Sequence, residues 1–303
     1  MRSMRAGRRM PNRQNLRIKM TYRECYEQGC RTLQAAGIEE AILDARLLLE
    51  AVCGTDRNDL LVHGEQPVMP QAEEKYLNWI RQRAEHIPLQ QLTGEQDFMG
   101  LTFSVNEHVL IPRQDTEILV EEVLKELHDR MRILDMCTGS GCILLSLLHY
   151  SNDCEGLGVD LSAEALEVAG RNVLKVLTPE KAEHAHFLQS DLFEKVEGKF
   201  EIIVSNPPYI ASAKVDKLMP EVRDHEPRMA LDGTEDGLHF YRRIIKEAGK
   251  HLVNSGMLFF EIGYDQGQAV SELMRAGGYR EVQVVQDYAG LDRVVLGTYC
   301  ERN

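Results

Sequence analysis

The stretch ILDMCTGSGCILLSL, residues 133–147, decides the architecture. Ile133, Leu134, Asp135 and Met136 form a strand-sized run, a turn follows with Gly139 and Gly141, and Cys142 to Leu147 are apolar enough for a packed helix. A strand that turns through glycine into a helix presents backbone N–H groups at the helix start, where a ligand can approach closely. The turn by itself has an equally good structural explanation, since glycine simply supplies the backbone freedom a tight turn requires. Working outward, RILDM (132–136), GLGVD (156–160), HFLQSD (186–191), EIIVSN (201–206), MLFFEIG (257–263), EVQVVQD (281–287) and RVVLGTY (293–299) are further strand-sized runs. Most are separated by helical stretches, at 116–128, 162–176, 238–252 and 267–276. That alternation predicts βαβ units and a parallel sheet, so the fold class is α/β. The last two runs follow each other too closely for a helical crossover, so the seven-stranded sheet is expected to be mostly parallel with an antiparallel last strand.

Upstream the pattern differs. From Thr21 to about Ile87 the apolar spacing is helical, with Leu47, Leu48, Leu49 and Val52 stopped by Gly54, and later Tyr76, Leu77, Trp79 and Ile80. From Leu92 to Ile111 the period changes to two and Gly94 and Gly100 punctuate it, which reads as a β-hairpin. The expected organisation is a basic leader over 1–20, a helical unit over 21–90, a hairpin linker over 91–112 and the α/β domain over 113–303. The stretch from Ala211 to Asp236 has no clear period and is expected to be a functional loop.

Composition narrows the function. With 303 residues, 43% of them hydrophobic, the chain can bury a substantial core. No apolar run reaches eighteen residues and the N-terminus has no apolar core of a signal, so a soluble protein of the cytoplasm is expected, with no membrane partner. Seven cysteines, odd in number and without a C-x-x-C pair, indicate reduced thiols rather than disulfides or zinc, and no metal site is expected. Residues 1–20 hold seven basic side chains and no acidic one, so the remainder carries 28 basic against 48 acidic groups. The preferred reading of the leader is an upstream extension before a working start at Met20. A body this acidic repels phosphate backbones, so no direct nucleic-acid substrate is expected.

Four polar residues close four successive predicted strands: Asp135, Asp160, Asp191 and Asn206. They therefore lie along one edge of the sheet, where doubly wound folds bind ligands. Asp160 follows Gly141 by nineteen residues, the place from which a carboxylate accepts both hydroxyls of a ribose. Asn206 opens the sequence NPPY, residues 206–209, a rigid way to build an ordinary turn.

The series LDMCTGSG, GVD, SD and NPPY resembles the Rossmann-like methyltransferases that use S-adenosylmethionine. Residues 21 to about 299 are similar more narrowly to the HemK-type glutamine methyltransferases of peptide-chain release factors, through LTGEQDFMGLTFSVNEHVLIPRQDTEILVE (92–121), HEPRMALDG (225–233), EIGYDQGQAV (261–270) and DYAGLDRVV (287–295). Gln114 and Asp115 stand where that family more often has Pro-Glu, and Cys137 where glycine is common.

The resemblance implies a substrate, the glutamine of the Gly-Gly-Gln motif of class I release factors, and a cofactor, S-adenosylmethionine. It assigns cofactor binding to Asp135, the turn Cys137, Thr138, Gly139, Ser140 and Gly141, then Asp160 and Leu161, Asp191 and Leu192, and Asn206. Within that set the turn would hold the methionine end, Asp160 the ribose, and Asp191 with Leu192 the adenine. Asn206, Pro207, Pro208 and Tyr209 would bind substrate, with Asn206, Pro207 and Tyr209 catalytic. A carboxamide nitrogen is a poor nucleophile, and an NH₂ group offers two hydrogens that need two acceptors. The Asn206 side-chain oxygen and the Pro207 carbonyl supply that pair, the prolines fix it in place, and Tyr209 would stack on the planar amide. A nucleic-acid adenine methyltransferase uses a similar Asn-Pro-Pro-Tyr on an exocyclic amine and is the alternative; it predicts a basic cleft. Arg113 is open between a carboxylate pairing, a linker brace and a surface ion pair, His225 and Glu226 between substrate entrance and loop structure, and Glu261 between a site role and a buried, satisfied carboxylate.

Overall fold

The computed structural model describes residues 19–301. Residues 1–18, which carry most of the basic leader, lie outside the described residues. The chain divides into two compact units, one ending at Glu85 and the other beginning at His86.

Among the described residues the smaller unit holds four helices: α1 (Tyr22–Ala35), α2 (Ala41–Cys53), α3 (Arg57–Val62) and α4 (Pro70–Ala84). Each start has a local cause. The Thr21 side chain accepts from the Glu24 backbone while the Glu24 carboxylate takes the Thr21 N–H, a reciprocal capping box. Asp56 caps α3, and Pro70 occupies the first turn of α4, where its missing N–H is no loss. Leu33, Leu48, Leu49, Tyr76 and Ile80 fill the interior of this unit, and Gly29 is required there because a Cβ would meet the Tyr76 hydroxyl at 2.0 Å. A buried ion pair, Arg83 to Asp44 at 2.7 Å, joins α4 to α2.

The larger unit opens with α5 (Leu89–Thr93) and a hairpin of β1 (Glu95–Phe98) and β2 (Leu101–Ser104), whose Phe98 and Phe103 point into its core. Then come α6 (Asp115–Glu126), β3 (Arg132–Met136), α7 (Cys142–Tyr150), β4 (Glu155–Asp160), α8 (Ala163–Val176), α9 (Pro179–Ala182), β5 (Ala185–Gln189) and β6 (Phe200–Ser205). Three single-turn helices follow, α10 (Ser212–Val215), α11 (Pro220–Arg223) and α12 (Arg228–Leu231), then α13 (His239–Ala248), β7 (Leu252–Glu261), α14 (Gly267–Ala276), β8 (Tyr279–Gln286) and β9 (Asp292–Tyr299). The stretch expected to be an irregular loop thus contains α10 to α12, too short for a hydrophobic period to show, with Pro220 and Pro227 at the entries of α11 and α12.

The seven strands lie in the order β5-β4-β3-β6-β7-β9-β8. β3 to β7 are parallel, and β9, the last strand in the chain, runs antiparallel to both neighbours. Alternate residues of the central strands feed two cores. Ile133, Ile202, Val204 and Phe259 pack toward α6, α7 and α8, while Leu134, Met136, Ile203, Leu258 and Phe260 pack toward α13 and α14. Burial on both faces explains why these strands read as continuous apolar runs. The order reverses direction between β3 and β6, which opens a crevice at their C-terminal ends.

Candidate active site

A cavity of about 340 Å³ occupies that crevice, lined by the ends of four strands. After β3 come Cys137, Thr138, Gly139 and Ser140, after β4 Asp160, Leu161 and Ser162, after β5 Ser190, Asp191 and Leu192, and after β6 Asn206 and Pro208. Residues from the segment before α6 (His108, Val109, Leu110, Pro112 and Arg113), Thr116 itself, and Pro227, Met229, Ala230, Asp232 and Phe240 close the other side.

The turn after β3 is built around Asp160. Its Oδ2 accepts from the Gly139 N–H and its Oδ1 from the Ser162 N–H, both at 2.9 Å. Each oxygen keeps a further lone pair for a ligand hydroxyl. Burial raises the Asp160 pKa, and the backbone N–H groups of Ser162, Gly139 and Leu161 oppose that rise. Gly139 and Gly141 have φ of +55° and +79°, and Cys137 holds +64° without glycine's freedom. A left-handed backbone costs a non-glycine residue about 1–2 kcal/mol, so this is the local consequence of a cysteine where glycine is common. Burial also drives the Cys137 thiol far above its ordinary pKa, so it stays protonated.

Not every strand-end residue reaches the cavity. Asp135 is fully buried and lines no part of it; its Oδ2 accepts from the Thr138 hydroxyl at 2.6 Å and the Leu144 N–H at 3.3 Å. Strand alternation turns Asp135 to the α7 side of the sheet, with Ile133, and there it braces the turn from beneath. Burial lifts its pKa to about 7. Gly141 likewise lies behind the lining, at the start of α7. Asp191 does line the cavity, with its Oδ1 3.0 Å from Arg243 on α13, a partner that a one-dimensional reading had no means to supply.

The NPPY segment has a definite orientation. Asn206 lines the cavity and its Nδ2 donates to Thr116 Oγ1 at 3.4 Å. Pro208 lines it as well, whereas Pro207 and Tyr209 do not. The expected stacking face of Tyr209 is therefore not presented to the cavity: its hydroxyl donates to Oε1 of buried Glu261 at 3.1 Å. Its carbonyl accepts from Gln266 Nε2 at 3.0 Å, and a Cβ on Gly237 would meet that carbonyl at 2.3 Å, so Gly237 lets the loop backbone pass. Arg113 pairs with buried Glu226 at 2.5 Å, and Gln91 donates to the His225 carbonyl at 2.7 Å, so HEP (225–227) structures this wall. Thr116 and Gln266 were not picked out from the sequence as site residues; their only signal was membership of the family-like stretches around IPRQDTE and EIGYDQG.

A seven-stranded sheet of this order with one reversed strand, a glycine turn after its first strand and an acid closing its second define a Rossmann-like methyltransferase. Residues 24–94 match the PrmC N-terminal domain and residues 113–222 the methyltransferase small domain. A release factor glutamine methyltransferase of Moorella thermoacetica is 44% identical over 91% of this chain and 98% of its own. That of Agrobacterium fabrum is 41% identical over 87% of this chain and 92% of its own. A solved release-factor-specific protein-(glutamine-N5) methyltransferase from Alicyclobacillus acidocaldarius is 30% identical, covering 66% of this chain and all of that one, with a TM-score of 0.38. The chain belongs to the release factor glutamine methyltransferase family.

Proposed function

We propose that this protein transfers a methyl group from S-adenosylmethionine to the side-chain amide nitrogen of the glutamine in the Gly-Gly-Gln motif of class I peptide chain release factors, in the cytoplasm. The observation that carries the reading is the orientation of Asn206. With Nδ2 tied to Thr116, the side-chain oxygen is the atom left to face a ligand.

The cavity fits the cofactor. Ser140 Oγ is buried there without a hydrogen-bond partner, the Asp160 oxygens have acceptor capacity to spare, and Val159, Leu161, Ala165 and Leu192 give apolar walls. The turn residues would hold the methionine end, Asp160 the ribose, and Asp191 with Leu192 the adenine edge. When bound, S-adenosylmethionine supplies an electrophilic methyl group on a sulfonium.

The protein's part is to present the nucleophile. Asn206 Oδ1 accepts one hydrogen of the substrate amide and the Pro207 carbonyl the other, which turns the nitrogen lone pair toward the methyl group and fixes the line of attack. Transfer to that nitrogen would leave S-adenosylhomocysteine, and the nitrogen would lose one proton, passed to solvent. Both acceptors bear on a hydrogen that becomes more acidic along this path, so they bind the transition state better than the ground state. Pro208 lines the cavity beside Asn206. The four-helix unit is read as a docking surface for the folded release factor, and the flexible glycines beside the target let it enter the crevice.

The test is incubation with methyl-labelled S-adenosylmethionine and an intact release factor, followed by peptide mass spectrometry. One methyl on the Gly-Gly-Gln glutamine is expected. Label on DNA adenine, or on no protein, would overturn the reading.

A further inference from the structure

Gln266 stands at the head of α14 and lines no part of the cavity, yet its side chain fastens the exit of the NPPY loop. Its backbone N–H donates to the Gly263 carbonyl at 2.9 Å and its Oε1 accepts from the Gly263 N–H at 3.0 Å, so the turn after β7 holds the side chain from both ends. The Tyr241 hydroxyl lies 3.5 Å from the same oxygen. A backbone N–H only donates, so the amide has one orientation, with its oxygen toward Gly263. The nitrogen, Nε2, then offers its two hydrogens to two carbonyls, that of Tyr209 at 3.0 Å and that of Gly237 at 3.3 Å. Three segments therefore meet on one carboxamide: the NPPY loop, the approach to α13 and the turn after β7. They meet at closest approach, since a Cβ on Gly237 would lie 2.3 Å from the Tyr209 carbonyl oxygen and 2.8 Å from Nε2.

We propose that Gln266 is a positioning residue that pins the exit of the NPPY loop and thereby aims the Pro207 carbonyl at the substrate amide. The loop is anchored at its entrance, where Asn206 is tied to Thr116, and just past its exit, where Ile210 donates to the Leu231 carbonyl at 3.0 Å and accepts from the Gly233 N–H at 2.8 Å. Between these anchors the two proline rings fix φ, so the direction of the Pro207 carbonyl depends on the remaining rotations and on where the Tyr209 peptide is held. Gln266 holds that peptide. The carbonyls of Tyr209 and Gly237 converge on Nε2, and without a donor between them their dipoles repel and leave two acceptors unpaired. The loop then relaxes, and the Pro207 carbonyl turns out of line. A misplacement of about 1 Å at a reacting centre can cost about 10²-fold in rate.

The inference rests on the reading of Asn206 and Pro207 as amide acceptors, so its test begins with the native full-length protein and an intact release factor. No methyl on the Gly-Gly-Gln glutamine overturns that reading and this one together; methylation there, with variants that behave as native, overturns this one alone. Gln266→Glu has the same shape and can still accept from Gly263 but has lost both donors, and Gln266→Met keeps the length and loses every hydrogen bond. Gln268→Met, on the exposed face of α14, is the control. The kcat and KM for the release factor at saturating S-adenosylmethionine are measured with S-adenosylhomocysteine affinity and the thermal midpoint. We expect both Gln266 variants to lower kcat at least about tenfold, with KM and S-adenosylhomocysteine affinity within about threefold of native, and Gln268→Met to match native. A lower thermal midpoint with near-native kcat in folded protein, a loss carried by KM or by cofactor affinity instead, or an equal loss in Gln268→Met would overturn the inference. Should neither Gln266 variant fold, Gln266→Asn decides, since its amide falls one carbon short of the two carbonyls: a kcat at least about tenfold lower supports the inference and a native kcat overturns it.

Discussion

Replacing Asp160 by alanine separates two jobs that one carboxylate does. In the protein its oxygens hold the Gly139 and Ser162 N–H groups at 2.9 Å, and the same oxygens are proposed to receive the ribose hydroxyls. A lost hydrogen bond to a charged group is worth about 1.5–3 kcal/mol, and at 1.4 kcal/mol per decade that predicts S-adenosylmethionine binding weakened by about 10- to 150-fold. Losing the backbone contacts loosens the turn as well, which would weaken any ligand, so affinity for the whole cofactor cannot by itself assign the carboxylate. Titration calorimetry with S-adenosylhomocysteine and with an analogue lacking the ribose hydroxyls separates the two. If the carboxylate binds the ribose, the loss of affinity on going from native to variant should be about 10- to 150-fold greater for the first ligand than for the second. An equal loss for both ligands would refute ribose recognition and leave Asp160 as a brace for the turn. Circular dichroism confirms that the variant is folded before the comparison is made.

Asn206→Ala should lower kcat by roughly 10²–10³ in the labelled-methyl assay, the usual effect of deleting one preorganised polar group, while cofactor affinity changes far less. Asp135 gives a pH prediction: its pKa in the folded protein, about 7, lies above the ordinary 3.8, so folding favours the protonated form. The stability it contributes is fully present below about pH 4 and is lost as pH rises toward 7, by at most ~4 kcal/mol at 1.36 kcal/mol per pH unit. Denaturant titrations from pH 4 to 8 should show that slope in the native protein and a flatter profile in Asp135→Asn. A chain beginning at His86 retains α5 and the Gln91 contact to His225, so it should bind S-adenosylmethionine normally. It should methylate intact release factor at least about tenfold less efficiently in kcat/KM, and full efficiency would remove the docking role from the helical unit.

Much of the sheet was legible because its central strands are buried on both faces and flanked by helices of clear period. RILDM coincides with β3 residue for residue, and the antiparallel last strand followed from the short gap after EVQVVQD. The insertion of β9 between β7 and β8 was not legible, since pairing partners leave no local trace in a chain. In the site, Asp160 and the glycine turn were readable because a tight turn and a strand-end acid are local features. The side of the sheet that Asp135 takes was not legible for the complementary reason: in a strand buried on both sides, no polar alternation shows which face a residue takes. Tyr209 was assigned by its ring, whereas its placement follows from Glu261, fifty-two residues away, and Asn206 is oriented by Thr116, ninety residues away. Contacts at such separations depend on the crossover topology rather than on spacing.

The place of β9 also bears on how the molecule is made. It follows every other described strand of the sheet in the chain, yet it sits inside the sheet, between β7 and β8. A chain that stops before Asp292 has every residue of the crevice but leaves the β7 edge open and deprives β8 of β9, the strand it pairs with. Such a fragment exposes an apolar strand edge, the feature by which unfinished chains aggregate and quality control finds them. Synthesis as far as β9 is therefore built into the topology as a condition for a closed sheet.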